Sequence, residues 1–307
     1  MGKTAFLFAG QGAQYSGMGK TLYDSSAAAK QLYDTAEAIR PNTMNQSFSG
    51  TDEELKRTEN TQPCLYLVDL AAARALEEAG IHADAAAGFS LGEIAALAFA
   101  GVYSDADGFR VVTTRGKLMQ EASDAADTAM CAVVKLDAET VTNAAAQFEQ
   151  LYAVNFNCPG QTVVSGLKSS MPDFTAKIKE LGGRCIPLAV SAAFHSPFMN
   201  DAAAKFGAAL ESQAFNAPAV PVYANLTARP YDAVNIRETL QQQMCNPVRW
   251  QTTIENMIAD GFDTFIEVGA GKTLSGLVKK INADVKIYNV DSAETLAETV
   301  KAVQESC

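Results

Sequence analysis

The chain has 307 residues, 48% of them hydrophobic and 19% charged, which is typical of a globular protein with one sizeable domain or a domain carrying an inserted lobe. Lys and Arg number 24 against 35 Asp and Glu, and the net charge of −11 argues against nucleic acid or an anionic membrane as a partner. No apolar run approaches the roughly 20 residues that a membrane-spanning helix needs.

The first 120 residues predict alternating strands and helices. A short apolar run at 4–8 predicts a buried strand that ends in a glycine turn, and apolar residues from Leu22 to Ala36 recur at helical spacing. A helix is predicted over 64–79, with Gly80 as its end. Residues 85–89 predict a strand that leads through Ser90 into a further helix, although alanine is a poor strand former.

The pattern changes between about residues 128 and 190. It predicts, in order, a strand at 129–136, a helix at 138–148, strands at 152–157 and 162–165, a helix at 171–181 and a strand at 184–190. That order, βαββαβ, is the ferredoxin-like unit. We therefore predict an α/β protein in which residues 1–127 and 194–307 form a large subdomain and residues 128–193 an inserted ferredoxin-like small subdomain.

After His195 the α/β alternation resumes. The predicted helices cover 202–213, 236–244, 252–260 and 274–281, and the predicted strands cover 220–224 and 264–268.

The cysteines and histidines limit which metal sites and catalytic bases the chain can contain. None of the six cysteines lies within three residues of another, so neither a structural zinc nor any other metal is expected. The N-terminal residues turn glycine-rich too early for a secretory signal, and we expect a cytoplasmic protein with reduced thiols. There are only two histidines, His82 and His195.

The pentapeptide at 88–92 matches G-x-S-x-G, the nucleophile elbow, which presents Ser90 above the first amides of the next helix. Its other interpretation is an ordinary glycine-containing turn with Ser90 as a helix cap. The segment Gly10-Gln11-Gly12 follows the first strand and could aim donors at the same oxyanion, or be a flexible turn or a weak phosphate loop.

His195 lies at the junction of the two predicted subdomains, where clefts form, and a serine nucleophile needs a base. A lone histidine is more often structural. His82 is the weaker candidate because it follows a helix end in a surface-like connection. Arg115 shares a helical face with apolar residues, so it either meets an anion or extends its charged end to solvent.

Six segments together resemble the family of malonyl-CoA:acyl carrier protein transacylases, in family order from residue 6 to about residue 280. They are 8–14, 88–93, 115–120, 193–196, 246–250 and 267–272. The resemblance implies an α/β-hydrolase-like large subdomain with the ferredoxin-like insertion, and transfer of a malonyl group from malonyl-CoA to acyl carrier protein in fatty-acid synthesis. It implies no cofactor, and we expect a monomer.

The resemblance also implies residue roles. Ser90 would be the nucleophile, His195 its base, Gln11 and Leu91 the oxyanion hole, and Arg115 the partner of the malonyl carboxylate. A backbone carbonyl orients the histidine in this family, and Gln243 matches its position.

Three further positions concern the substrate pocket. Asn155 is expected to face the site from the small subdomain, and Phe194 resembles the malonyl-selective form of the histidine motif. Phe89 stands where the family usually has a histidine, and we expect this change to alter packing rather than chemistry.

Other functions stay open on sequence alone. These are a freestanding acyltransferase that serves a polyketide synthase, a serine esterase or thioesterase, and a non-catalytic docking protein. Because acyl carrier proteins are acidic, an acidic enzyme needs a local basic patch to meet one. Our candidates are Lys279 and Lys280, together with Arg184, Arg249 and Lys272.

Overall fold

The computed structural model describes residues 2–190 and 192–305. The first part of the chain contains β1 (Lys3–Phe8), α1 (Lys20–Ser25), α2 (Ala27–Ile39), α3 (Thr43–Ser49), α4 (Asp52–Lys56), α5 (Thr58–Glu78), β2 (Ala85–Gly88), α6 (Leu91–Phe99) and α7 (Asp105–Asp124). The middle part contains β3 (Thr128–Val134), α8 (Ala138–Ala145), β4 (Leu151–Cys158), β5 (Gln161–Leu167), α9 (Met171–Glu180) and β6 (Arg184–Pro187). The last part contains α10 (Asn200–Ala209), β7 (Val222–Tyr223), α11 (Ile236–Gln243), α12 (Trp250–Ala259), β8 (Phe262–Val268), α13 (Thr273–Ile281), β9 (Lys286–Val290) and α14 (Ala293–Glu305).

Five strands form a parallel sheet in the order β7-β2-β1-β8-β9. Because all five run the same way, the loops after β1, β2, β7 and β8 meet at one edge of the sheet, where α/β proteins place their ligands. The alanines of β2 are fully buried between β1 and β7. Small side chains fit that central position, which explains a strand built from a poor strand former.

The other four strands form a separate antiparallel sheet in the order β4-β5-β3-β6. Helices α8 and α9 pack on it around a small core of its own that includes Val133, Val141, Val164 and Phe174. The prediction of a mixed α/β protein with two distinct sheets is confirmed.

Several element boundaries differ from the prediction by a few residues, and two of them involve a proline. Helix α5 begins at Thr58, six residues before the predicted start, and contains Pro63. Pro63 is the sixth residue of this helix, and because proline has no amide hydrogen, the carbonyl of Glu59 lacks the helical donor that another residue would supply there. Strand β6 ends at Pro187 rather than at residue 190, and proline contributes no amide hydrogen to a sheet. Strand β9 and helix α14 had no counterpart in the prediction.

No described helix combines the length and the apolar character that crossing a bilayer requires.

Candidate active site

Ser90 lies on the turn from β2 into α6 with a backbone φ of 55°, in the left-handed region that residues other than glycine rarely adopt. A Cβ on Gly88 would overlap the backbone of Gly92, and one on Gly92 would overlap the carbonyl oxygens of Phe8 and Ala9. The turn therefore requires both glycines to bring strand, serine and helix this close together.

We expect Gly92→Ala to lower the free energy of unfolding by about 1–3 kcal/mol, because the new methyl group overlaps backbone atoms that cannot move aside easily. Urea denaturation measures this change. The control is Gly276→Ala in α13, where nothing lies within 4 Å of an added Cβ; it should raise stability by about 0.5–1 kcal/mol. A Gly92→Ala variant as stable as the unaltered protein would show that the turn is not closely packed.

Ser90 and His195 are joined directly, although 105 residues separate them in the sequence. The Ser90 hydroxyl oxygen lies 2.8 Å from His195 Nε2, and His195 Nδ1 lies 2.9 Å from the backbone carbonyl oxygen of Gln243. Because a carbonyl only accepts, Nδ1 carries the hydrogen and Nε2 is left to accept the serine proton. His82 is exposed, so the structure places only His195 beside the serine.

The charge state of His195 suits a base. Burial and, to a smaller extent, the nearby Arg115 cation lower the pKa of its imidazole to about 4, although the hydrogen bond to Gln243 acts in the opposite direction. His195 is therefore neutral at pH 7 and able to accept a proton.

Arg115 is fully buried, and its side chain does not reach solvent. Its Nη2 donates to the Ser90 hydroxyl at 3.1 Å and to Gln243 Oε1 at 2.8 Å, and its Nη1 donates to Gln62 Oε1 at 2.8 Å. Burial lowers its pKa to about 10, so the guanidinium is still charged at pH 7. All three partners are uncharged oxygens, and within residues 2–190 and 192–305 neither a salt-bridge partner nor an acceptor for Nε is found.

Leu91 and Gln11 are the residues whose backbone amides the sequence predicts to form an oxyanion hole. Leu91 is the first residue of α6, and its N–H has no hydrogen-bond partner among the described residues, so the helix dipole and a free donor coincide beside Ser90. Gln11 lies on the loop after β1, next to β2 in the sheet. Its side-chain amide donates to Thr58 Oγ1 at 3.2 Å, which holds the loop against α5.

Gln11 and Thr58, which are in contact, line different cavities. One, of about 250 Å³, lies between the two sheets and is lined by Gln11, Phe89, Asn155 and Leu277 among others. Asn155 is 8% exposed and its Oδ1 has no partner among the described residues, so the amide oxygen is available to a ligand. The other cavity, of about 210 Å³, is lined by Thr58 and Phe194. Asn155 and Phe194 therefore line different cavities.

Phe89 packs against Trp250 with ring centroids 5.4 Å apart. This contact agrees with the expectation that the change from histidine concerns packing.

Lys279 and Lys280 are exposed in the last turn of α13, and the first residues of that helix, Thr273 and Leu274, line the cavity beside Gln11. Arg184, Arg249 and Lys272 are exposed as well. Lys280 lies near enough to Cys158 of β4 to oppose the rise in that thiol's pKa that burial causes.

Several polar residues of the site, Gln62 among them, were not assigned a role from the sequence. Asn225 Oδ1 accepts from the Ser90 amide at 2.7 Å, and its Nδ2 donates to the Gly88 carbonyl at 2.6 Å. Glu93 and Tyr231 are buried and hydrogen-bonded to each other. Glu93 did carry a signal, because a single carboxylate in an otherwise apolar helix must find partners.

The comparisons with known proteins agree with this geometry. The family model described as the acyl transferase domain matches residues 5–301, so the chain belongs to the acyl transferase family. Within it, the chain is 41% identical to the malonyl CoA-acyl carrier protein transacylase of Bacillus subtilis, over 99% of this chain and 98% of that one.

Two solved structures are similar over almost their whole length. The malonyl CoA-acyl carrier protein transacylase of Clostridium perfringens is 37% identical, with a TM-score of 0.94 over 99% of this chain and 98% of the other. A malonyl-transacylase in complex with its type II PKS acyl-carrier protein is 34% identical, with a TM-score of 0.94 over 98% and 99% of the two chains.

Proposed function

We propose that the protein transfers the malonyl group of malonyl-CoA to the phosphopantetheine thiol of acyl carrier protein and so supplies fatty-acid synthesis. The single observation that carries this proposal is the buried, charged Arg115, which lies 3.1 Å from the Ser90 hydroxyl and, in the part of the chain that the structure describes, hydrogen-bonds only to neutral groups. An acyl group that ends in a carboxylate would give this cation its missing counter-charge next to the reacting atom. The names of the relatives point to the same substrates.

The first half of the reaction forms an ester on Ser90. His195 Nε2 takes the serine proton as the oxygen attacks the thioester carbonyl, and Nδ1 keeps its hydrogen bond to Gln243. The amides of Leu91 and Gln11 would stabilise the negative oxygen, and losing one such donor typically costs about 10²–10³ in rate. Coenzyme A then leaves as a thiol with the proton from His195.

The second half reverses these roles. The phosphopantetheine thiol gives its proton to His195 and attacks the malonyl ester, and Ser90 recovers its hydrogen. Throughout, Arg115 would hold the malonyl carboxylate in a bidentate pair. The cavity beside Gln11 and Asn155 offers room for the pantetheine chain, and Phe194 would shape the acyl pocket.

We infer a finer fold description with this function. The parallel sheet would belong to an α/β-hydrolase-like subdomain of residues 1–127 and 194–307, and residues 128–193 would form the ferredoxin-like insertion. The order β4-β5-β3-β6 and the separate core around Phe174 support it. A monomer in the cytoplasm stays our prediction.

Intact mass spectrometry tests the proposed function. Malonyl-CoA alone should add one malonyl group to the protein, and holo acyl carrier protein should then remove it and become malonylated. Free malonate without malonyl carrier protein would instead show a thioesterase, and a protein that acquires no malonyl group would be a docking protein.

A polyketide role is the second candidate, because one structural relative is bound to a type II PKS carrier protein. Transfer rates to a fatty-acid carrier protein and to a polyketide carrier protein, measured side by side, decide between the two pathways.

We also propose that Lys279 and Lys280 bind the acidic carrier protein. The double substitution Lys279→Ala/Lys280→Ala should raise the carrier-protein KM about two- to tenfold, because each exposed charge contributes modestly, and should leave malonyl loading unchanged. Lys205→Ala, which removes an exposed lysine from α10, serves as the control. Steady-state transfer assays measure both variants, and an equal fall in loading would place the patch elsewhere.

A further inference from the structure

Glu93 is fully buried in α6, one helical turn beyond Ser90. Its Oε1 accepts a hydrogen bond from the Tyr231 hydroxyl, and its Oε2 accepts one from the backbone amide of Asn225 at 2.8 Å. The Gln243 side-chain amide donates to the same Oε2 at 3.3 Å. A buried carboxylate with three donors is arranged to hold a negative charge rather than to avoid one.

The Gln243 side chain connects this carboxylate to Arg115. Its Oε1 accepts from Arg115 Nη2 at 2.8 Å, and its Nε2 donates to the Ser90 carbonyl at 2.8 Å as well as to Glu93. Because an amide has a donor end and an acceptor end, the cation on one side and the carboxylate on the other fix its orientation. The same residue's backbone carbonyl holds His195.

This arrangement concerns the buried positive charge of Arg115. Arg115 is charged at pH 7, and a carboxylate in direct contact would occupy the guanidinium and compete with the substrate. Glu93 favours the charged form of Arg115 without a salt bridge to it. Among the described residues, the guanidinium is therefore hydrogen-bonded only to neutral groups, and no carboxylate blocks it.

We propose that Glu93 is a positioning residue that fixes the Gln243 side chain and thereby holds the Arg115 guanidinium in place for the substrate carboxylate. This inference rests on the proposed malonyl transfer and adds a determinant of acyl selectivity. It predicts that the preference for malonyl over acetyl groups depends on the ionisation of Glu93.

The groups around Glu93 define the pH range of this dependence. Burial raises the pKa of Glu93, and its hydrogen bonds and Arg115 oppose that rise. With all these effects together, the pKa is about 7. Glu93 faces Arg115 of α7, and the pKa of that guanidinium is about 10. It also faces the hydroxyls of Tyr103 and Tyr231, and burial raises the pKa of both well above 10. Asn225 and Gln243 do not titrate. Since the folded-state pKa is raised, Glu93 is ionised above about pH 7 and neutral below it.

The experiment compares loading of malonyl-CoA and acetyl-CoA on the full chain from about pH 6 to about pH 8.5. The ratio of the two rates removes effects common to both, including titration of coenzyme A. In the unaltered protein the malonyl preference should rise about tenfold with pH, around a midpoint near 7. In Glu93→Gln it should be low and independent of pH.

Tyr231→Phe gives a second, different readout. It removes one donor to the ionised carboxylate, so the midpoint should move to higher pH while the dependence remains. This variant keeps the test decisive if Glu93→Gln fails to fold. Glu238→Gln removes the same charge from an exposed position on α11 and should leave the profile unchanged.

A pH-dependent preference that survives in Glu93→Gln, or a midpoint unmoved in Tyr231→Phe, would overturn the proposal. So would a flat malonyl preference in the unaltered protein, even if it loads malonyl groups well. Failure of that protein to load any malonyl group is a different result, because it removes the proposed function itself.

Discussion

Ser90→Ala is expected to abolish malonyl loading and to lower transfer to carrier protein by a factor of about 10⁴ or more, since no other group can form the acyl ester. Ser90 is the hydroxyl that lies 2.8 Å from His195 Nε2 and next to the first amide of α6. The intermediate therefore depends on one oxygen atom. Intact mass spectrometry after incubation with malonyl-CoA, together with a steady-state transfer assay, measures both effects.

Ser212→Ala is the matched control, because it removes an exposed hydroxyl far along the sequence from the elbow and should load normally. Circular dichroism should show that both variants are folded. If Ser90→Ala still acquires a malonyl group, the acyl enzyme forms on another residue and the proposed mechanism is wrong.

Arg115→Ala should have the second-largest effect, a loss of about 10²–10³ in the preference for malonyl-CoA over acetyl-CoA. The reason is that the malonyl carboxylate would enter a buried site without its counter-charge, whereas an acetyl group lacks that cost. Arg115→Lys should recover little, because an ammonium group cannot reproduce the planar pair of donors. The values of kcat/KM for the two thioesters measure the preference.

Arg110→Ala in the same helix is the control, since Arg110 is exposed and paired with Asp107 at 2.9 Å. Its selectivity should match that of the unaltered protein. An Arg115→Ala variant with unchanged selectivity would remove the carboxylate-binding role and with it the main support for the proposed substrate.

Some features of this protein follow from local sequence. The spacing of apolar residues predicted most strands and helices, because that periodicity reflects which face of an element is buried. The glycines at 88 and 92 identified the turn at Ser90, since a Cβ on Gly88 would overlap the backbone of Gly92 and one on Gly92 would overlap the end of β1. The grouping of Ser90, His195 and Arg115 came from recognising a family pattern. The structure brings His195 and Arg115 each within hydrogen-bonding distance of the Ser90 hydroxyl.

Other features depend on contacts between distant parts of the chain. Asn225 and Gln243 reach Ser90 across 135 and 153 residues, because the parallel sheet and the packing of α11 bring them there. Strand β2 exists because its neighbours bury it, against the propensity of alanine.

The same division holds for charge. The sequence by itself determined that Arg115 lies among apolar neighbours, and it left open whether the side chain meets an anion or reaches solvent. Only the tertiary structure decided that it is fully buried and hydrogen-bonded to neutral oxygens, with Gln243 between it and Glu93. The physical reason is that hydrophobic pattern is a property of neighbouring residues, whereas the energy of a buried charge depends on every group the fold brings around it.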